Sequence, residues 1–401
     1  MGRVTDRRVP ADPDAGLTAD ELVDITGGLF VARSDRAFLG AAVDSRVVVA
    51  GNLFVALPGD RTDGHAYVEA AIAAGAAAVL VSQPVDDRTL IGHDVTVVRV
   101  ADPLRALQAV ATAWRARFDP LVVGITGSIA KTSTKEAVAT VLGSVLPTLR
   151  NEGNLNNEIG LPLTVLRLRA EHRAAVLEMG MYVGGEIAEL ARIGRPEIGV
   201  VTAVQPVHLS RIGTIEAVER AKGELIEALP DDGVAVLNAD DERVRSMARR
   251  TRARSMTYGF AGDADVRADG VVSRGADGMT FELVAGGVRR PVAIPALGRL
   301  AVHNALAAAA VGRAAGIAPD AIVAALATGW SAPHRTQLVR AGGVTIVDDS
   351  YNASPGSVAA ALDLLAGMPG RRIAVLGEML ELGDEHEAGH ERAGAAAAGV
   401  V

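Results

Sequence analysis

The chain has 401 residues, enough for two or three domains that each bury a core. Its formal net charge of −8 argues against a nucleic-acid surface, and the lack of cysteine excludes disulfides, a thiol nucleophile and cysteine-ligated metals. No uncharged apolar run of about 18 residues predicts a membrane span, and the N-terminus lacks the apolar core of a signal peptide. Composition therefore predicts a cytoplasmic enzyme that does not bind nucleic acid and does not span a membrane.

The first part of the chain divides into a polar arm and a small α/β pattern. Residues 1–16 are polar and rich in proline and aspartate, which predicts a flexible arm. The following residues mix short β patterns with a helix at 66–74. Asp119-Pro120 is typical of a domain boundary, so we predict an N-terminal α/β domain over 17–118.

The middle of the chain alternates continuous apolar strands with helices, which is typical of a parallel sheet covered on both faces. Residues 264–295 alternate apolar and polar side chains instead and predict antiparallel hairpins. A linker-like segment, 329–333, follows, so we predict a central domain over 119–331. The strands predicted for its parallel sheet are 121–126, 174–178, 198–204 and 233–238.

The last residues predict a short Rossmann-like domain over 332–401. Two strand–helix units are expected there, a strand at 344–347 with a helix from Ser357, and a strand at 373–376 with a helix from Asp384. A sheet with so few strands would leave an uncovered edge. We therefore expect this domain to be incomplete, and whether the sequence is a fragment stays open.

A phosphate-binding loop is predicted where an apolar strand meets the start of a helix, at 124–133. Small residues let backbone N–H groups converge on an anion at a helix N-terminus. Lys131 would then reach the terminal phosphates, and the Thr132 hydroxyl would meet Mg²⁺. Ala130 stands where glycine is expected and costs about 1–2 kcal/mol if its φ is positive. The residues predicted to bind ATP here are Gly124, Thr126, Gly127, Ser128, Ile129, Ala130, Lys131, Thr132 and Ser133.

Polar residues follow several predicted strands, and the carboxyl ends of parallel strands meet at one edge of a sheet. For Glu178, metal binding and a capping or ion-paired role are both open from the residues alone. A lone histidine such as His208 is more often a structural hydrogen-bonding group than a ligand. For Lys222, helix spacing favours a solvated lysine paired with Glu219.

Two further polar segments can each be interpreted either as a turn or as part of a binding site. The loop 151–160 carries four asparagines within seven residues, which suit either turns or a polar substrate. The segment 348–352 follows a predicted strand and is either a strand-end turn or a sugar- or metal-binding loop.

Together these segments resemble the Mur ligases, the ATP-dependent amide-forming enzymes of peptidoglycan precursor synthesis. The resemblance runs from about residue 44 to the end. It is greatest to the MurF-type members, which add D-alanyl-D-alanine to UDP-N-acetylmuramoyl-tripeptide. The segments that carry it are Asp44-Ser45-Arg46, Gly51 to Leu57, Asp63-Gly64-His65, the loop with Lys131 to Glu136, Asn154 to Gly160, Lys222-Gly223-Glu224, Asn238-Ala239-Asp240 and Asp348 to Ala353.

The resemblance implies roles for individual residues. Lys131, Glu178, His208 and Lys222 are expected to be catalytic, with Thr132, Glu178, His208 and a carbamylated Lys222 holding two Mg²⁺ ions. Asn304, Arg335 and Asp349 are expected to contact ATP. The residues expected to bind the UDP-linked peptide and the dipeptide are Asp44, Ser45, Arg46, Asn156, Asn157, Tyr351 and Asn352.

The implied reaction begins when the tripeptide carboxylate attacks the γ-phosphate of ATP and ends when the dipeptide amine attacks the acyl phosphate. We expect closure of the C-terminal domain to bring Arg335 and Asp349 to the site, and we expect a monomer. Besides Ala130, the chain departs from the family pattern at Leu300-Ala301, where His-Asn is usual. Two alternatives stay open, another Mur-type amino-acid ligase and a catalytically weakened nucleotide-binding scaffold.

Overall fold

The computed structural model of the chain describes residues 14–59, 62–206, 212–380 and 382–401. The described residues form three sheets, with five, nine and two strands in chain order. None of the described helices is long and apolar enough to cross a bilayer. Most of the predicted arm lies outside the described residues, but the Asp14 carboxylate accepts a hydrogen bond from Ala170 N at 2.9 Å.

The N-terminal domain is a five-stranded sheet with the order β1-β5-β4-β3-β2, parallel except for β1. Helix α1 begins where Thr18 and Glu21 form a reciprocal capping box, and α4 begins at a proline behind the capping carboxylate of Asp102. Its strands are β1 Leu29–Ala32, β2 Ala41–Ala42, β3 Leu53–Val55, β4 Ala78–Val81 and β5 Thr96–Arg99, and its helices are α1 Ala19–Thr26, α2 Val68–Ala73, α3 Asp87–Leu90 and α4 Pro103–Arg115.

The central sheet has nine strands in the order β14-β13-β12-β11-β10-β9-β6-β8-β7. The part from β7 to β12 is parallel, and the strands predicted from continuous apolar runs are all present in it. The hairpins predicted over 264–295 are also present and extend this same sheet. The strands are β6 Leu121–Thr126, β7 Thr148–Arg150, β8 Ala174–Glu178, β9 Ile198–Val201, β10 Val234–Asn238, β11 Arg254–Gly259, β12 Val266–Ser273, β13 Met279–Ala285 and β14 Val288–Ile294.

Helices cover both faces of this sheet, as its fully apolar strands require. The helices described there are α5 Lys131–Gly143, α6 Gly160–Val165, α7 Glu186–Gly194, α8 Ile215–Glu227, α9 Glu242–Ser246, α10 Gly298–Ala314 and α11 Pro319–Thr328.

The C-terminal residues contain one antiparallel hairpin, β15 Gln337–Ala341 with β16 Val344–Asp348, and two helices, α12 Pro355–Ala366 and α13 His386–Ala398. The prediction of a strand at 373–376 is wrong, because these residues have no strand assignment. Val375 is 94% exposed, and no strand in the described part of the chain supplies the backbone partners that an apolar β-branched run needs. The helices predicted after each of the two strands are both present, as α12 and α13.

One hydrophobic core joins the N-terminal and central domains. It contains Leu107 and Trp114 of α4 together with Leu161 and Leu225 of the central domain. The Trp114 indole also donates a hydrogen bond to Leu168 O at 3.2 Å. By contrast, the small apolar cluster beside the C-terminal domain joins only Leu297 to Leu364 and Met368 among its buried members. The first two domains are therefore packed as one body, while the third has a smaller apolar contact.

Candidate active site

The loop between β6 and α5 has the geometry of a phosphate cradle. Ala130 has φ 65° and ψ 2°, so the strain expected from an alanine at this position is present. At Gly127, with φ 153°, a Cβ would lie 1.8 Å from Thr202 Oγ1, so only glycine fits. Lys131 Nζ donates to Gly127 O at 2.8 Å and curls over the loop. Burial lowers the pKa of Lys131, the Glu178 carboxylate opposes this, and the Arg335 charge adds to it.

Glu178 lies at the carboxyl end of β8, beside this loop. Its Oε1 accepts a hydrogen bond from Thr132 Oγ1 at 3.3 Å and one from Asn156 Nδ2 at 2.7 Å. Its Oε2 is buried and has no hydrogen-bond partner among the described atoms. A buried carboxylate oxygen without a donor is costly unless a cation binds it. The chemistry of this pair fits Mg²⁺, which prefers oxygen ligands.

Lys222 lies on α8 and is only 2% exposed. The interpretation of a solvated lysine paired with Glu219 is wrong, because Glu219 pairs with Arg243 at 2.6 Å and Lys222 faces inward. Within the described residues no acceptor lies within hydrogen-bond distance of its amine. Burial and then the charge of Lys131 lower the pKa of Lys222 well below its ordinary value. The lowered pKa favours the uncharged amine, which is the form that can react with CO₂.

The C-terminal domain adds a cation and a carboxylate to the same region. The Arg335 guanidinium stacks over the Tyr351 ring with 4.1 Å between Cζ and the ring centroid. Asp349 accepts a hydrogen bond from Thr336 N at 2.9 Å, and burial raises the pKa of Asp349. Both Arg335 and Asp349 line the same cavity as the phosphate loop in this structure.

One cavity of about 610 Å³, called here the main cavity, brings most of the predicted residues together. Because β8 is next to β6 in the sheet, the strand-end carboxylate meets the phosphate loop there. The predicted residues that line it are Ser128 to Ser133, Asn156, Asn157, Glu178, Lys222, Arg335, Asp349, Tyr351 and Asn352. Sequence reasoning missed Tyr182, Glu186 and Arg299, which line it too. Tyr182 follows β8, Glu186 begins α7 and Arg299 lies in the first turn of α10, and these positions at the ends of elements are the signal that could have found them.

A second cavity of about 510 Å³, called here the side cavity, lies on the other side of Ala130. Asn304 lines it, and its Oδ1 accepts a hydrogen bond from Thr134 Oγ1 at 3.0 Å. Leu300 and His303 also line it, and His303 Nε2 lies 3.0 Å from Asp240 Oδ2. Burial opposes ionisation of Asp240, but hydrogen bonds from His303 and two backbone N–H groups lower its pKa overall.

Some predicted residues are not part of either cavity. Gly124 and Thr126 are buried within β6, and His208 lies outside the described residues. Asp44, Ser45 and Arg46 lie in the N-terminal domain, away from both cavities. There the Arg46 guanidinium binds the Asp44 carboxylate at 2.6 Å and lowers the pKa of Asp44 to about 2. Among the described residues no group of three His, Cys, Asp or Glu side chains could hold a metal.

A phosphate loop between a parallel strand and a helix, with a buried carboxylate and a buried lysine beside it, defines a P-loop nucleotide-binding protein. Three family models match the chain in order. They are the Mur ligase family catalytic domain over 39–115, the Mur ligase middle domain over 125–312 and the Mur ligase glutamate ligase domain over 334–401. The chain therefore belongs to the Mur ligase family, and the predicted three-domain α/β architecture is confirmed.

Comparisons with individual proteins show which members of the family the chain resembles. The chain is 38% identical to the UDP-N-acetylmuramoyl-tripeptide--D-alanyl-D-alanine ligase of Escherichia coli (strain K12) over 387 residues, which is 95% of this chain and 83% of that protein. A crystal structure of MurF from Acinetobacter baumannii superposes with a TM-score of 0.86 at 30% identity, covering 94% and 82% of the two chains. The structure of the MurF ligase from Thermotoga maritima in complex with ADP superposes with a TM-score of 0.80 at 30% identity. The match covers 89% of this chain and 82% of that chain.

Proposed function

We propose that the protein is an ATP-dependent ligase that adds D-alanyl-D-alanine to UDP-N-acetylmuramoyl-tripeptide in peptidoglycan precursor synthesis. The observation that carries this proposal is the meeting of Lys131, the Thr132–Glu178 pair and Lys222 around one cavity. The E. coli relative carries that activity in its name, and the Thermotoga relative binds ADP. ATP and both peptide substrates are therefore the ligands proposed for the two cavities.

ATP would lie across Ala130, with its phosphates on the loop and its nucleoside in the side cavity. Lys131 would contact the terminal phosphates, and the position of its amine over the loop carbonyls supports this. Asn304 lines the side cavity and offers an amide to the nucleoside. Arg335 and Asp349 would contact the nucleotide from the C-terminal domain. This arrangement leaves the rest of the main cavity to the two peptides.

Thr132 and Glu178, together with His208 and a carbamate on Lys222, are the residues we propose for holding two Mg²⁺ ions. The buried Glu178 Oε2 without a hydrogen-bond partner supports a cation there, and the lowered pKa of Lys222 supports carbamylation. When bound, Mg²⁺ would neutralise the repulsion between the attacking carboxylate and the γ-phosphate. A carbamate would give Lys222 the negative charge that a second cation needs.

The proposed reaction has two displacement steps. The tripeptide carboxylate oxygen attacks the γ-phosphorus, the bond to the β-phosphate oxygen breaks, and ADP leaves. The dipeptide amine then attacks the acyl carbon, phosphate leaves, and the new amide nitrogen loses a proton. Lys131 and Arg335 stabilise the charge that spreads over the transferred group, and the cavity walls exclude the water that would hydrolyse the acyl phosphate.

The remaining assignments complete the proposal. Asp44, Ser45 and Arg46 would bind the UDP-sugar part, and Asn156 and Asn157 the peptide. Tyr351 and Asn352 would contact the dipeptide. We also propose domain boundaries of 17–118, 119–331 and 332–401, a monomeric state and a cytoplasmic location.

A coupled assay of phosphate release tests the proposal. Release that requires ATP, the UDP-tripeptide and D-alanyl-D-alanine together, with a product of the summed mass less water, supports it. Release with the UDP-dipeptide and a single amino acid instead would identify another Mur-type ligase. The strained Ala130 favours a weakened scaffold as the remaining alternative, and ADP binding without turnover on any substrate pair would support that. Lys131→Met is the negative control in each case.

A further inference from the structure

Asn151 is a fully buried asparagine that joins two segments of the site. It follows β7, and its Oδ1 accepts a hydrogen bond from the backbone N of Glu178 at 2.7 Å. Its Nδ2 donates to Leu155 O at 2.5 Å, at the other side of the asparagine loop. The carboxamide of Asn151 thus ties the end of β8 to the loop that carries Asn156.

A buried lysine connects Asn151 to a third segment. Lys135 has no exposed surface, and its Nζ donates to Asn151 O at 2.8 Å and pairs with Glu136 Oε1 at 3.0 Å. Lys135 lies on α5, one helical turn beyond Lys131 and Thr132. A buried ammonium is rare unless its partners are fixed. The phosphate-loop helix is therefore fastened to Asn151.

The three segments joined in this way are the ones that converge on Glu178. Thr132 comes from α5, Glu178 from β8 and Asn156 from the asparagine loop, and both neighbours donate to the same oxygen, Glu178 Oε1. Neither Asn151 nor Lys135 lines the main cavity. Any effect of these two residues on the reaction must therefore pass through the residues that they hold.

We propose that Asn151, anchored by Lys135, is a positioning residue that sets the Glu178 carboxylate against Thr132 and Asn156. The inference rests on the proposed function. Changes at Asn151 should weaken cation binding and slow the phosphoryl-transfer step while binding of the UDP-tripeptide is retained, because Asn151 touches no part of the cavity. Residues that orient a ligating side chain commonly contribute about 10- to 100-fold to metal affinity or activity.

The experiment compares Asn151→Ala and Lys135→Met with Thr96→Val in the 401-residue chain. Thr96 is an equally buried residue in the N-terminal domain. Its hydroxyl accepts a hydrogen bond from Ser34 N and donates one to Ser34 O. Mn²⁺ affinity is measured by electron paramagnetic resonance without substrates, and kcat, KM and the melting temperature are measured separately. We expect Asn151→Ala to weaken Mn²⁺ binding and lower kcat by about 10- to 100-fold, with KM for the UDP-tripeptide nearly unchanged.

The double variant gives a second criterion. Asn151→Ala and Lys135→Met should be non-additive in Mn²⁺ affinity, because the Asn151 carboxamide and the Lys135 contact with Asn151 O act in series, whereas each should be additive with Thr96→Val. If Asn151→Ala lowers only the melting temperature, as Thr96→Val should, or raises KM alone, the proposal is wrong. If Asn151→Ala does not fold, Asn151→Asp keeps the acceptor for Glu178 N and loses the donor to Leu155, and a kcat equal to that of the wild type would overturn the proposal. Absence of turnover in the wild type would instead count against the proposed function, while the Mn²⁺ comparison would still decide the role of Asn151.

Discussion

The Arg250 guanidinium occupies the space beside α8 that a side chain on Gly223 would need. A Cβ on Gly223 would lie 1.9 Å from Arg250 Nη1 and 2.1 Å from its Cζ. The guanidinium is held there by the carbonyl oxygens of Glu219 and Arg220, at 3.1 and 2.9 Å, and by Glu227 at 2.8 Å. Gly223 directly follows Lys222. The packing of Arg250 against Gly223 therefore fixes the part of α8 that carries Lys222, which lines the main cavity.

Gly223→Ala should therefore destabilise the protein although alanine is the better helix former. The new methyl group must displace the guanidinium or shift α8, at a cost of about 1–3 kcal/mol. We expect a lower free energy of unfolding in urea and a reduced kcat, since Lys222 moves with the helix. The matched control is Gly394→Ala on α13, where a Cβ meets nothing within 4 Å, and there we expect a gain of about 0.5–1 kcal/mol. Equal effects of the two substitutions would contradict the role given to Arg250.

Ala130→Gly should stabilise the protein and improve turnover. Ala130 has φ 65°, and removing its methyl group relieves about 1 kcal/mol of backbone strain. Arg195→Gly is the control, because exposed Arg195 ends α7 with φ 50° and lies outside both cavities. Unfolding in urea should show similar gains for both variants, while kcat/KM for ATP should rise only for Ala130→Gly. A rise in both would show that global stability, not the loop, limits turnover.

Lys222 should make stability depend on pH in CO₂-free buffer. Its folded pKa is lowered well below the ordinary lysine value by burial and by Lys131, so between these two pKa values the unfolded chain binds more protons. Stability must then rise with pH through this window and fall as the pH drops through it. Lys222→Met should be more stable than the wild type near neutral pH and should have a flatter profile. Identical pH profiles in urea unfolding would mean that the amine is charged in the folded protein.

Added bicarbonate should activate the wild-type enzyme, because the neutral amine of Lys222 can form a carbamate. Carbon-13 NMR with labelled bicarbonate should show a carbamate resonance that Lys222→Met lacks. Turnover that is fully retained after removal of CO₂, without such a resonance, would argue against carbamylation.

Glu178→Gln should remove most activity without harming the fold. The amide keeps the shape and an acceptor for Thr132 and Asn156 but loses the charge at the buried Oε2, so we expect kcat to fall by about 100-fold or more. Its melting temperature should equal or exceed that of the wild type, since a buried charge is gone. Glu189→Gln, which removes a surface ion pair with Arg192 on α7, should leave kcat unchanged. A comparable loss in both variants would indicate a nonspecific effect.

Much of the fold could be predicted from local patterns. The apolar runs at β6 and β8 are buried on both faces, so continuous hydrophobicity located them within their true bounds. The segment 373–376 has the same character but forms no strand. A local pattern gives the preference for an extended backbone, whereas a strand also needs a neighbour to accept and donate its hydrogen bonds. That neighbour is a property of the assembled sheet.

The sequence by itself determined the phosphate loop, the glycines and hydroxyls that form it, and the kind of residue at each strand end. Only the tertiary structure decided which of these meet. The order β9-β6-β8 places Glu178 beside Thr132, and packing of α8 against the sheet buries Lys222 while Glu219 pairs with Arg243. Burial and charge are set by neighbours distant in the chain, so a lysine that helix spacing assigns to solvent is buried inside the site, where its pKa is lowered.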